Sequence, residues 1–302
     1  MIEGLTTDTL EYTTVKSDEG MTLLEVLSKS MELSSRLIRK VKKDKRIYYN
    51  GRIKPSMNLF VRCNDVIKVV MDLEENQFIA EDIEIDVLYE DIDMMVVDKK
   101  PYIVVHPTLG HPTGTIANSL ANYFNKKGIN TKIRFINRLD RDTSGVLLIA
   151  KNPYAQQIIS TQMKANETDK RYIALVHGNV ESESGTINEP IARAGEDDIR
   201  RCVIVGGQES VTHYEVIDRF NGFTLVKIKL ETGRTHQIRV HFLHIGHPLV
   251  GDELYGGDTT LFERQALHGA EISFYTPRTK LYTTIKSELP EDIKLLIKRL
   301  KN

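Results

Sequence analysis

A stretch of fifteen residues, Ile136-Asn137-Arg138-Leu139-Asp140-Arg141-Asp142-Thr143-Ser144-Gly145-Val146-Leu147-Leu148-Ile149-Ala150, limits what the chain can fold into more than any other. It starts polar and charged and ends on five consecutive apolar residues behind Gly145. An apolar run of that length, opened by glycine, predicts a buried strand. The polar half must then stand at the mouth of the strand, where a rigid scaffold can hold side chains in a cleft. Two carboxylates, Asp140 and Asp142, lie there among Arg134, Arg138 and Arg141. Neighbouring cations favour the ionised carboxylate, the form a nucleophile needs. The same charges would equally suit a solvated, salt-bridged turn. Spacing by itself does not choose between Asp140 and Asp142.

At 302 residues the chain exceeds one average domain, which predicts a small module beside a larger one. A charged fraction of 27% and an apolar fraction of 40% are those of a soluble globular protein. No stretch reaches the length of a membrane span, and the first twenty residues lack the apolar run of a signal peptide. Cys63 and Cys202 are too few for a disulfide framework or a cysteine zinc site, and a reducing cytoplasm is the expected location. The net charge of −1 argues weakly against a nucleic-acid partner, but its distribution reverses that. Residues 21–70 carry twelve Lys or Arg against four Asp or Glu, whereas residues 71–98 carry eleven acids and no base. Such blocks predict a basic module that touches a polyanion, followed by an acidic segment.

Residues 1–20 are polar and without clear periodicity. Leu23, Leu24 and Leu27 then carry one helical face. Ser34 reads as the N-cap of a helix bearing Arg36, Arg39 and Lys40, with Leu37, Ile38 and Val41 as its apolar stripe. Residues 47–53 predict a hairpin turned by Asn50-Gly51, and residues 61–70 a further strand. The acidic residues 73–84 read as a linker, and residues 85–89 and 94–98 as two short strands. Thr115 is placed to cap a helix through Ile116, Leu120 and Phe124, and Pro153 to open another with Ile158, Ile159 and Met163 on one face. Lys170 leads into a buried strand, in which Tyr172 by itself would be a core tyrosine. Turn-rich residues 179–210 predict surface hairpins, and residues 212–219 and 224–231 an antiparallel pair. Gly233 before Thr235 predicts a threonine-capped helix with cations on its first turns, suited to a phosphate or carboxylate. Four histidines, at 236, 241, 244 and 247, invite a metal reading. Their spacings scatter around a helix with no cysteine or carboxylate to complete a shell, so no metal is expected.

Arg138-Leu139-Asp140, followed by Thr143-Ser144-Gly145 and an aliphatic strand, resembles the central motif of the RluA-type pseudouridine synthases. Other blocks similar to that family follow its order. The segment from Lys99 to Pro107 resembles the opening motif, except that Lys100 and Pro101 replace a Pro-Ala pair and Tyr102 replaces glycine. Lys170-x-Tyr172-x-Ala174-x-Val176-x-Gly178 resembles the block of the active-site tyrosine. Gly233-Arg234-x-His236-Gln237-Ile238-Arg239-x-His241 resembles the block whose second arginine pairs with the catalytic aspartate. His247-Pro248-Leu249-Val250-Gly251-Asp252 with Tyr255-Gly256, and then Leu267-His268 with Phe274, complete a resemblance that covers nearly all of residues 80–290. In front of it, two small helices and a basic-edged hairpin over residues 21–72 resemble the S-four-like RNA-binding domain, with Asn64-Asp65 in place of the usual Gly-Asp.

The resemblance implies an α+β protein: a polar segment 1–20, an S-four-like RNA-binding domain 21–72, an acidic linker 73–84, and a pseudouridine synthase domain 85–302. The last would hold a mostly antiparallel mixed sheet with a central cleft. The implied reaction isomerises specific uridines, foremost in large-subunit ribosomal RNA, after the base leaves its stack. Asp140 is the implied nucleophile, attacking either the ribose anomeric carbon or uracil carbon 6. Arg239 would pair with it, Tyr172 would stack on the uracil and move protons, and Arg138 would fill the vacated space. Arg36, Arg39 and Lys40 are expected to contact RNA. No cofactor, metal, membrane or obligate protein partner is implied. Asn137 stands where a histidine is usual and is expected to tune RNA contacts. An idle RNA-binding or ribosome-assembly factor is the competing reading, opposed by the joint presence of Asp140, Arg239 and Tyr172. A further one keeps the chemistry and takes transfer RNA as substrate.

Overall fold

The apolar run becomes the strand Ser144–Ala150, buried along its whole length. Met94–Lys99 pairs antiparallel with one edge, and Leu267–Tyr275 meets the other in parallel through His268 and Gly269. This is a computed structural model, and it describes residues 6–53, 55–72 and 74–302. Residues 1–5 of the leading polar segment, Lys54 of the basic module and Leu73 at the head of the acidic linker lie outside the described residues. Gly145 is required where the two strands cross. Its φ is +116°, and a Cβ there would stand 2.1 Å from the Gly269 carbonyl oxygen.

From Leu267–Tyr275 the sheet continues antiparallel through Asp169–His177, Phe223–Leu230, Val211–Phe220 and Ser184–Asn188. On the other side Met94–Lys99 carries Asp86–Glu90, and Arg134–Phe135 and Tyr282–Lys286 bring the total to ten strands. The result is a mixed α/β fold around one large, mostly antiparallel sheet. Helices cover both of its faces, which is why the central strand has no polar alternation. Leu147 and Ile149 pack with Leu120 and Phe124 of the helix Ile116–Lys126, capped by Thr115. Val146, Leu148 and Ala150 face the other way, toward Ala155 and Ile159 of the helix Pro153–Lys164.

The N-terminal part forms its own four-stranded antiparallel sheet, in the order Thr9–Thr13, Val66–Val70, Ile47–Tyr49, Arg52–Ile53. Asn50 and Gly51 both take positive φ, as a two-residue hairpin turn needs. Residues 9–13 fall in the leading polar segment by sequence, yet they pair along the whole of Val66–Val70 with Leu10 in the module's core. Five residues of Thr-Leu-Glu-Tyr-Thr are too few to show a period alone; the partner strand supplies the order. The expected strand over 61–70 begins only at Val66, because residues before it form a turn with Asn64 at φ +69°. Asparagine tolerates that conformation, so it can stand where glycine is usual. The helical face is Leu23, Val26 and Leu27; Leu24 is 44% exposed, since only the residues three and four along share a side with Leu23. Tyr154 and Ile158 join this core, and the Gln157 amide bonds both the Ser34 N–H and the Glu32 carbonyl. No helix among the described residues is long and apolar enough to cross a membrane.

Candidate active site

The polar half of the central stretch opens on a cleft of about 1560 Å³ that also receives Arg138, Tyr172 and Arg239. Arg239 lies on the helix Gln237–His244, and its Nη1 donates to Asp140 Oδ2 at 3.1 Å. The rest of its fork is held by Asp252: Nε and Nη2 donate to the two carboxylate oxygens, each at 2.7 Å. The Asp252 side chain is 0% exposed, so this bidentate pair fixes the guanidinium plane rigidly. The Tyr255 ring supports that plane from 4.9 Å. Burial pulls the Arg239 pKa down, but its bonds and charge pairing with Asp252 and Asp140 outweigh this and raise it. A turn at Gly251 delivers Asp252; a Cβ on Gly251 would lie 2.1 Å from the Arg264 carbonyl oxygen.

The helix start departs from expectation. His236, not Thr235, holds the cap position, with φ +57° and no side-chain cap bond. The Gln237 Oε1 accepts from the Arg234 N–H and the Thr232 hydroxyl, tying the helix start to the loop before it. His236 is thereby turned to Tyr255, whose hydroxyl is 2.8 Å from Nδ1, and its Nε2 lies 3.9 Å from Asp140 Oδ2. Burial lowers its pKa, against the pull of Asp140. The other imidazoles diverge: His241 bonds Thr212 and the Glu189 carbonyl, and His247 the His177 carbonyl. Among the described residues no three His, Cys, Asp or Glu are arranged to hold a metal ion.

Two buried basic side chains hold the Asp140 loop. Lys99 Nζ donates to the Arg141 and Lys100 carbonyls at 2.7 and 2.9 Å. Arg264 Nη1 donates to the Asp142 carbonyl at 2.9 Å while Asp292 grips the remainder of its fork. Burial pushes the Lys99 pKa down to about 7, with Asp142 and Asp140 opposing. The Asp142 carboxylate itself is taken by Arg141, at 2.8 and 2.9 Å. Asp140 Oδ1, by contrast, has no hydrogen bond among the described residues. Both aspartates line the cleft, and their partners tell them apart: Asp142 is paired through both oxygens with Arg141, Asp140 through one with Arg239.

Tyr172 is 9% exposed and packs with Leu139, Ile238 and Leu267. Its hydroxyl has no hydrogen-bond partner among the described residues; burial, then the Asp140 charge, raises its pKa, so the phenol is neutral. Arg138 is exposed at the cleft. Asn137 also lines the cleft, and its amide bonds the Val146 carbonyl and Leu148 N–H, extending the ladder of the buried strand. Arg36 and Arg39 are exposed on the helix Ser35–Lys43, outside the cleft. Lys40 beside them lies 3.4 Å from Asp72 and 3.3 Å from Glu74, so part of the acidic segment neutralises it. The roles of Asp252, Tyr255, Lys99 and Arg264 were not legible in the sequence. Asp252 had a faint signal, an acid after glycine closing an apolar run; Arg264 had none.

Residues 93–244 match the profile of the family described as RNA pseudouridylate synthase. An RNA pseudouridine synthase of Bacillus subtilis (strain 168), itself uncharacterized, is 40% identical over 233 residues, spanning 77% of this chain and 82% of its own. Ribosomal large subunit pseudouridine synthase D of Yersinia pestis is 33% identical, spanning 97% of this chain and 94% of its own. The solved structure of human RNA pseudouridylate synthase domain containing 1 aligns with a TM-score of 0.55 at 24% identity, over 72% of this chain and 94% of that one, a likeness of fold.

Proposed function

Because the chain belongs to the RluA-type RNA pseudouridine synthases, isomerases that act on RNA, we propose that it converts specific uridines of large-subunit ribosomal RNA by base flipping and an Asp140 nucleophile. The observation that carries this reading is the chain Asp252–Arg239–Asp140 in one cleft with Tyr172. The isomerisation breaks the glycosidic bond, turns the uracil and rejoins it through carbon 5, so no atom is gained or lost. Asp140 bonds to the substrate meanwhile, at the anomeric carbon or at uracil carbon 6, dividing one hard step into two. Arg239, pinned by Asp252, holds Oδ2 and leaves Oδ1 to the substrate. Tyr172 packs on the uracil and moves the proton that the exchange of attachment requires. Arg138 occupies the gap left by the flipped base. Residues 21–72 act as the RNA-binding domain, joined by the acidic residues 73–84 to the catalytic domain 85–302, with residues 9–13 sharing the first domain's sheet.

The test is to map pseudouridines in RNA from cells with and without this protein, and to repeat it with purified protein. Loss of one or more sites from large-subunit RNA is the expected result. Intact ribosomal sites with lost transfer-RNA sites would overturn the substrate assignment.

Tyr172→Phe removes only the hydroxyl, which bonds to no described residue, so the melting temperature should stay near wild type. Turnover should fall by roughly 10²-fold or more if proton transfer passes through that oxygen. A wild-type initial rate would dismiss that role. Neutralising Arg36, Arg39 and Lys40 together should weaken RNA binding. For every phosphate left without its cation, the plot of log affinity against log salt should flatten by roughly 0.7 to 0.9. Since Lys40 already sits against Asp72 and Glu74, most of the change should come from the two arginines. An unchanged affinity and slope would remove this helix from the RNA interface.

A further inference from the structure

Tyr102 stands where the backbone asks for glycine. It follows Pro101 in the turn after the strand Met94–Lys99, and its φ is +66°. Proline followed by a residue of positive φ is the pairing of a type II turn, whose third position is normally glycine or asparagine. A bulky aromatic there strains the backbone. Among the described residues no hydrogen bond holds the side chain, which is 55% exposed. It does line the cleft that holds Asp140. The neighbouring aromatic of the cleft, Phe135, is by contrast engaged, edge-on to His106 with centroids 4.4 Å apart.

We propose that Tyr102 is a stacking platform for the RNA base next to the target uridine, and so helps to select the sequence around it. This rests on the cleft being the uridine site. A flipped base leaves two neighbours, each with one open face; Arg138 in the gap covers one, and an exposed ring on the cleft wall stacks on the other. Stacking requires only a π-face, so it reads no hydrogen-bond pattern. It does favour the larger overlap of a purine, and the preferred neighbour should be a purine.

The test compares Tyr102→Gly, Tyr102→Phe and Tyr102→Leu with wild type, using thermal denaturation and binding of a short uridine-rich RNA. That RNA carries a single 2-aminopurine, moved through successive positions. Glycine should raise the melting temperature by relieving the turn while weakening RNA binding on the order of tenfold. Phenylalanine should match wild type in both respects. Leucine keeps the bulk and the strain but should bind as weakly as glycine. Wild type and the phenylalanine variant should quench 2-aminopurine at one position, and the other two variants should not. Unchanged RNA affinity and quenching in Tyr102→Gly would overturn the proposal, as would equal losses in Tyr102→Phe. None of these readouts needs turnover. A wild type that binds and quenches but forms no pseudouridine would therefore count against the catalytic reading, not against Tyr102.

Discussion

Asp140→Asn is expected to abolish product formation, lowering the single-turnover rate on the order of 10⁴-fold or more, while substrate RNA still binds. The substitution keeps the size of the side chain and an acceptor for Arg239 but removes the carboxylate proposed as the nucleophile. It leaves the Arg239–Asp252 pair intact, so the variant should stay folded. Asp142→Asn, two residues away, is the internal control. Among the described residues its carboxylate is ion-paired with the exposed Arg141 alone, an interaction worth about 0–1 kcal/mol. The bond that ties residue 142 to Arg264 uses the backbone carbonyl, which asparagine retains. Its rate should stay near wild type. A single-turnover assay on target RNA beside a binding measurement decides the matter. Full activity in Asp140→Asn, or an equally dead Asp142→Asn, would mean that the wrong carboxylate or the wrong reaction has been assigned.

Arg239→Ala should be damaging in two ways that can be separated. It removes the cation that bridges Asp252, which is wholly buried, and Asp140. Breaking such a pair from one side costs about 3–5 kcal/mol because a buried charge is left uncompensated. For a chain of this length that corresponds to a fall in melting temperature on the order of 10 °C. Turnover should also collapse, since Asp140 loses the group that orients it. Arg239→Lys restores a positive charge without the fork and cannot serve Asp252 bidentately while reaching Asp140. It should recover part of the stability and little of the rate. Asp252→Asn should slow turnover without touching the substrate, as expected of a positioning residue. A wild-type melting temperature and rate in Arg239→Ala would show that the ion pair has no role.

What the sequence by itself determined is local, because the physics that writes those signals is local. Five apolar residues behind Gly145 specified a strand buried on both faces, since polar alternation would have exposed a face. Thr115 specified a helix start because a hydroxyl at that position accepts an orphan N–H within three residues. Asn50-Gly51 specified a hairpin because both residues tolerate positive φ. Arg239 and Tyr172 were named as site residues through resemblance of whole blocks, not through spacing. The tertiary structure decided what depends on groups meeting across the chain. Arg239 and Asp140 are 99 residues apart, and no period in the sequence encodes that meeting or distinguishes Asp140 from Asp142. Lys99 and Arg264 bond to backbone carbonyls, which every residue carries, so no residue pattern announces them. The threonine cap did not form, because His236 at φ +57° takes the cap position and leaves the Thr235 hydroxyl one residue ahead of it. Residues 9–13 became a strand because Val66–Val70 had an open edge to pair. A short segment beside such an edge takes its structure from its partner, and that partner lies more than fifty residues away.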